Sequence, residues 1–255
     1  MSRTISRVLI GYCAALTLLN VAWVVKKGGP RYVLEQLGLI RHKHINVGFQ
    51  EEGIERLRKI PDTNDEIIFA GDSITYALSL LESFTDVRNH GIGGDSSQGM
   101  LDRLPMIAAT RPKQFFLNIG TNDLSTEVSA GEVAENIREI VDRMAAESPG
   151  TELFVTSVLP TNLELSGGLR EERKLVAVGR LNAMIAEAAQ VGKFTYLDFS
   201  PHFRDDKGQL RRNLTPDGVH LNDDGIRLYC KLLEPHVKSK ELLARRAEGA
   251  RPTRP

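Results

Sequence analysis

The sequence predicts an α/β protein. A doubly wound, five-stranded parallel sheet is covered by helices on both faces in a three-layer α/β/α arrangement, with a transmembrane helix ahead of it. Three observations predict this. Short apolar runs recur between residues 67 and 200, and helical stretches lie between them. Strands that alternate with helices build parallel βαβ units. A separate uncharged run occupies residues 8–25.

That run, VLIGYCAALTLLNVAWVV, has Thr17 and Asn20 as its clearly polar side chains. As a helix it would span about 27 Å, close to the roughly 30 Å of a bilayer's hydrocarbon core. Arg3 and Arg7 precede it, Lys26 and Lys27 follow it, and Trp23 sits near the second boundary. Residues 1–27 are therefore expected to form a single-pass membrane anchor. A cleaved signal peptide needs a small-residue cleavage site before Lys26, which is not evident. A buried core helix is the third reading, and the flanking charges oppose it. Basic residues on both sides leave the orientation open.

Residues 28–64 read as a helical connector. YVLEQLGLI and FQEEGIERLRKI have amphipathic spacing, and Pro61-Asp62 breaks the second. The regular pattern fills residues 65–237. IIFAG (67–71), VRNHGI (87–92), FFLNIG (115–120), ELFVTSV (152–158) and FTYLDFS (194–200) are the expected strands. SQGMLDRLPMIAA is helical in spacing, with Pro105 inside it. SAGEVAENIREIVDRMAAES opens on a Ser-x-x-Glu capping box at Ser129 and Glu132. EERKLVAVGRLNAMIAEAAQ is long and amphipathic. Residues 238–255 are basic and read as a solvated, disordered tail, with contact to an anionic membrane surface as the alternative.

Lysine plus arginine and aspartate plus glutamate each number 33, so the chain carries no net charge and lacks the basic surplus of a nucleic-acid binder. Of the two cysteines, Cys13 lies in the apolar run, leaving Cys230 alone in the remainder and excluding a disulfide framework. No CxxC pair or histidine cluster suggests a metal, and no cofactor motif is visible.

Ligands of open parallel sheets bind beyond the carboxyl ends of the strands, and four short blocks fall there. Gly71-Asp72-Ser73 follows the first strand. Gly91-Ile92-Gly93-Gly94-Asp95 follows the second. Gly120-Thr121-Asn122-Asp123 follows the third. Asp217-Gly218-Val219-His220 comes late, before the last helix. Each alone reads as ordinary turn chemistry: an N-cap, a tight glycine turn, an Asx-turn, a surface histidine. Together and in this order, they resemble the SGNH hydrolases, also called GDSL esterases and lipases. HGIGGDSSQGMLDRL followed by GTND is most similar to the branch of platelet-activating-factor acetylhydrolase subunits and lysophospholipase-like esterases.

The resemblance implies a flavodoxin-like fold and a cofactor-free serine esterase. Ser73 would be the nucleophile, His220 the base and Asp217 its partner. The Ser73 and Gly94 N–H groups and the Asn122 amide would form the oxyanion hole. Asp72, Asp95 and Asp123 are expected to hold their local turns. His42, His44, His90, His202 and His236 are expected to be structural or exposed. Gly-Asp-Ser-Ile-Thr is not the Gly-x-Ser-x-Gly of α/β-hydrolases. The expected substrates are lipid, glycan or small-molecule esters with short acyl groups, or lysophospholipids. O-acyl transfer and carbohydrate O-deacetylation are the alternatives on the same fold. A non-catalytic binding protein would predict decayed blocks. The domain is expected on the periplasmic or extracellular side because related bacterial enzymes face outward.

Overall fold

The computed structural model describes residues 47–58, 66–78, 86–167 and 169–240. They belong to one compact unit, His44–Pro255. The apolar run at 8–25, the first connector helix, His42, His44 and the end of the tail lie outside the described residues. Among the described residues, no helix is long and apolar enough to cross a membrane.

Five strands form the sheet: β1 (Ile67–Gly71), β2 (Val87–Gly91), β3 (Gln114–Asn118), β4 (Glu152–Thr156) and β5 (Thr195–Leu197). They pair in parallel in the order β2-β1-β3-β4-β5. All five residues of β1 and all five of β3 are buried, as continuous apolar runs covered on both faces should be.

Strand periodicity divides the core in two. Ile68, Ala70, Phe115 and Leu117 point to one face. There they meet Met100 and Leu104 of α3 (Ser97–Ala108), Ile137 and Ile140 of α5 (Ala130–Glu147), and Leu181 and Ile185 of α7 (Leu169–Ala189). Ile67, Phe69, Phe116 and Phe154 point to the other, against Phe203 of α8 (Ser200–Phe203) and Tyr229 and Leu233 of α9 (Asp223–Leu233). Register sets Phe69 beside Phe116 and Phe116 beside Phe154. Their rings stack at centroid distances of 4.6 and 4.4 Å, each pair adding about 0.5–1.5 kcal/mol beyond burial.

The remaining α-helices are α1 (Val47–Arg58), α2 (Ser73–Tyr76), α4 (Thr121–Ser125) and α6 (Leu163–Ser166). Three of them carry the loops above the carboxyl edge of the sheet, and α1 comes from the stretch read as a connector. Leu57 of α1 is buried. Gly53 faces Ile92, and a Cβ there would lie 2.8 Å from the Ile92 Cγ2.

Three local outcomes refine the sequence reading. The fifth strand is only three residues long. Beyond it the Phe199 and Ser200 N–H groups donate to Ser157 Oγ at 3.0 and 2.8 Å, turning the chain off the sheet. Pro105 lies within α3, where the sequence places it, and Ser129 caps α5 by accepting from the Glu132 N–H. Residues 238–240, at the start of the expected tail, are fixed in place. Lys238 N–H donates to Gln114, and Ser239 Oγ and Lys240 N–H donate to Asp86.

Candidate active site

The sheet order reverses between β1 and β3, and the carboxyl ends of the strands at such a switch point form a crevice. Ser73 stands at this position. β1 ends at Gly71, where a Cβ would lie 2.0 Å from the Asn118 carbonyl oxygen. Only glycine permits that approach. Asp72 then caps α2, its Oδ1 accepting from the Ile74 N–H at 2.9 Å. The turn thereby delivers Ser73 as the first residue of α2, half-buried at the crevice.

Asp217 and His220 arrive on one loop between a 3-10 turn at Arg212–Leu214 and α9. The Asp217 Oδ1 accepts from the N–H groups of Val219 and His220 at 2.9 and 2.8 Å. Its Oδ2 meets His220 Nδ1 at 2.6 Å. Burial pushes the Asp217 carboxyl up, but the His220 side chain and the two backbone donors outweigh it and hold it at about 2. The carboxylate thus fixes the imidazole so that Nε2 faces Ser73 Oγ at 3.1 Å. The loop is pinned from below. Gly218 N–H donates to Thr215 Oγ1 at 2.8 Å, and Asn162 N–H donates to the Gly218 carbonyl at 2.8 Å.

Two of the three expected oxyanion donors, Gly94 and Asn122, are joined through the turn that ends at Asp95. Ile92–Asp95 forms a turn closed by Asp95 N–H donating to the Ile92 carbonyl at 3.1 Å. Gly94, its third residue, has φ +74°, the conformation that a type II turn requires and glycine supplies. Asn122, near the start of α4 after β3, donates through Nδ2 to the Asp95 carbonyl at 2.9 Å. Its amide carries two hydrogens, so one remains for a substrate.

Asp95 does more than shape its own loop. Its Oδ2 meets the Nε and Nη2 of Arg103 at 2.9 Å each. The same guanidinium donates to the Gly71 carbonyl at 3.2 Å. This buried fork ties the second block to the residue before Asp72. Sequence reasoning missed Arg103, although an arginine on the buried face of an amphipathic helix was a usable signal. Asp123 also reaches farther than a local turn. It accepts from the N–H and hydroxyl of Ser97, at 3.0 and 2.7 Å, joining α4 to α3. Burial pushes its carboxyl up, against the pull of those donors.

Two more titratable groups lie behind the crevice. Burial lifts the Asp72 carboxyl to about 7, with Asp95 and Asp123 adding to the rise and the Ile74 N–H and Thr121 hydroxyl opposing it. Burial pushes His90 down to about 3, aided by Arg103, Arg56 and Arg88. His90 is therefore a neutral, buried residue of β2, while His202 and His236 lie at the cleft beside β5. Among the described residues, no group of three or more His, Cys, Asp or Glu side chains is placed to hold a metal ion.

The site is open. The side chains of His220 and Asp217 are 51 and 50% exposed. A cleft of about 570 Å³ lies instead between β5 and α9, and one of about 450 Å³ between α5 and α7; neither is lined by Ser73, Asp217 or His220.

Proteins of similar sequence and fold are known. The model of the GDSL-like lipase/acylhydrolase family matches residues 69–228. The platelet-activating factor acetylhydrolase IB subunit alpha1 of Bos taurus is 29% identical over 182 residues, 68% of this chain and 75% of its own. The N-acylneuraminate cytidylyltransferase of Streptococcus agalactiae is 28% identical over 185 residues. That match spans 72% of this chain but only 41% of the relative. Among solved structures, a GDSL-like lipase from Bacteroides thetaiotaomicron has a TM-score of 0.62 and 22% identity over 73% of this chain and 96% of its own. A catalytic mutant of an acetylxylan esterase from Geobacillus stearothermophilus has a TM-score of 0.55 and 15% identity, covering 71 and 98% of the two chains. At these identities the two structures speak for the fold alone.

Proposed function

This chain belongs to the GDSL-like lipase/acylhydrolase family and is a carboxylic ester hydrolase, and we propose that it cleaves short-acyl esters with Ser73 as nucleophile. The observation that carries the reading is the continuous chain from Ser73 Oγ through His220 to Asp217, at 3.1 and 2.6 Å. Serine is a weak nucleophile until an adjacent base takes its proton. His220 Nε2 accepts that proton as Ser73 Oγ bonds to the acyl carbon, and Asp217 stabilises the imidazolium that forms. The carbonyl oxygen, now an oxyanion, is received by the Ser73 and Gly94 N–H groups and the free hydrogen of the Asn122 amide. Collapse expels the alcohol, which takes the proton from His220. A water molecule then repeats the cycle on the acyl-serine and releases the acid.

Support for a short acyl group comes from the open site and from the acetylhydrolase name of the bovine relative. The neighbouring segment around α6 is also polar in sequence, NLELS. An exposed imidazole admits alcohols as well as water, so O-acyl transfer and glycan O-deacetylation stay as the second reading.

The test is turnover of p-nitrophenyl esters from acetate to palmitate, beside Ser73→Ala. The variant should lose about 10⁶ in kcat, on the scale of other serine-hydrolase nucleophiles. Activity should peak at the shortest chains. Near-normal turnover by Ser73→Ala would sink the mechanism, and a peak at long chains would sink the acyl-length reading. Product analysis with an added acceptor alcohol separates transfer from hydrolysis.

The uncharged run at 8–25 supports a further reading, that the full chain is held at a membrane by its N-terminus. Full-length protein should stay with membranes through an alkaline carbonate wash. Its release into the wash would overturn the anchor.

A further inference from the structure

We propose that Arg56 of α1 is a positioning residue for the oxyanion hole, holding the Ile92–Asp95 turn against the nucleophile helix. The proposal rests on the esterase reading above. It concerns an element ahead of residue 69, where the family match begins.

The argument starts at the edge of the sheet. Among the described residues, β2 has one strand neighbour, β1. The Ile92 N–H points to that neighbour and donates to the Gly71 carbonyl at 3.0 Å. Residues alternate sides along a strand, so the carbonyls of Asn89 and Gly91 face the open edge. Unpaired edge carbonyls need partners, and Arg56 supplies them. Its Nη2 donates to the Gly91 carbonyl at 2.8 Å, and its Nη1 makes a longer bond to the Asn89 carbonyl at 3.4 Å. The planar fork of a guanidinium fits two such acceptors, and its charge strengthens both bonds.

The same guanidinium lies over the Tyr76 ring, 5.4 Å from its centroid. Tyr76 is the last residue of α2, the helix that Ser73 begins. The Asn89 side chain closes the circuit. Its Nδ2 donates to the Thr75 and Tyr76 carbonyls at 2.9 and 3.3 Å, and its Oδ1 accepts from the Gly91 N–H at 2.9 Å. One cation therefore grips β2 immediately before the glycine turn and rests on the far end of the nucleophile helix.

The two ends of the turn are held differently. At Asp95, the buried Arg103 pair and the Asn122 amide fix it from within the core. At Gly91, the side-chain grip comes from the half-buried Arg56 and from Asn89. Loss of the Arg56 clamp would free one end of the turn that presents Gly94 while leaving the core intact. Small displacements of a catalytic donor are costly, a 1 Å error reaching about 10²-fold in rate.

The experiment compares full-length wild type with Arg56→Met, which keeps the stem without donors, and Arg56→Lys, which keeps one charged donor. p-Nitrophenyl acetate turnover, fluorophosphonate labelling of Ser73 and the melting temperature are measured. Arg56→Met should lower kcat and the labelling rate by roughly 10- to 100-fold, with KM held within about twofold. Its melting temperature should stay near that of wild type, and Arg56→Lys should recover part of the rate. Wild-type kcat in Arg56→Met overturns the proposal. So does a loss confined to KM, or a loss that follows unfolding and is not relieved by lysine. A wild type that neither turns over ester nor labels would overturn the esterase reading itself, a result distinct from an Arg56 variant that behaves normally.

Discussion

Asn122 shows what one side chain is asked to do at this site. Its amide nitrogen has two hydrogens, and one is committed to the Asp95 carbonyl at 2.9 Å. That bond aims the other without adding charge. Asn122→Ala removes the donor and the strut together, so kcat should fall by about 10²–10³, the cost of one oxyanion-hole donor. KM for a short ester should change little, because the donor acts most strongly on charge that develops in the transition state. Steady-state kinetics on p-nitrophenyl acetate check this, and a change carried by KM alone would reassign Asn122 to ground-state binding. The places of Ser73 and Asn122 beyond strand ends, and of His220 beside Asp217 ahead of α9, were legible in the sequence from residue type and order. Arg103 was not. Its place on the buried face of α3 was a signal that it has a partner, but the partners, Asp95 on the preceding turn and the Gly71 carbonyl, are set by folding and no local pattern names them. Asp123 escaped for the same reason, since Ser97 lies 26 residues away.

Elements were legible in proportion to how far local pattern governs them. β1 and β3 are continuous apolar runs because both faces are covered, and α5 declares its start through the Ser129 cap. β5 was read too long because the apolar pattern continues through Phe199. What ends the strand is the Ser157 hydroxyl, reached only after β4 and β5 are paired. The stretch around α1 read as a connector for an equally physical reason. Its amphipathic spacing gives a helix, but only tertiary structure shows that Arg56 reaches the Gly91 carbonyl and Gly53 faces Ile92. Parallel strands must be joined by long crossovers. The residues of one crevice are therefore scattered along the chain, and the four blocks named the crevice without naming the clamps that hold it.

At the scale of the whole molecule, the polar groups behind the crevice tie stability to pH through two opposing titrations. Burial raises Asp72 from 3.8 to about 7. Between those values the folded state binds more protons than the unfolded state, so stability falls as pH rises and is then constant. Burial lowers His90 from 6.5 to about 3. Across that window the unfolded state binds more protons, so stability rises with pH. Each shift is worth on the order of 4 kcal/mol, and the windows overlap with opposite signs. Between about pH 4 and 6.5 the two contributions should largely cancel. Asp72→Asn keeps the oxygen that accepts from the Ile74 N–H and removes the falling limb. Denaturant unfolding of that variant should therefore show stability climbing more steeply than wild type over the interval. His90→Gln removes the rising limb and should show the reverse slope. If both variants keep the wild-type pH profile, neither group is titrating as its burial dictates. A slope in Asp72→Asn of the opposite sign would mean that another group dominates the interval. The unfolding midpoints of three proteins across this range decide between these outcomes.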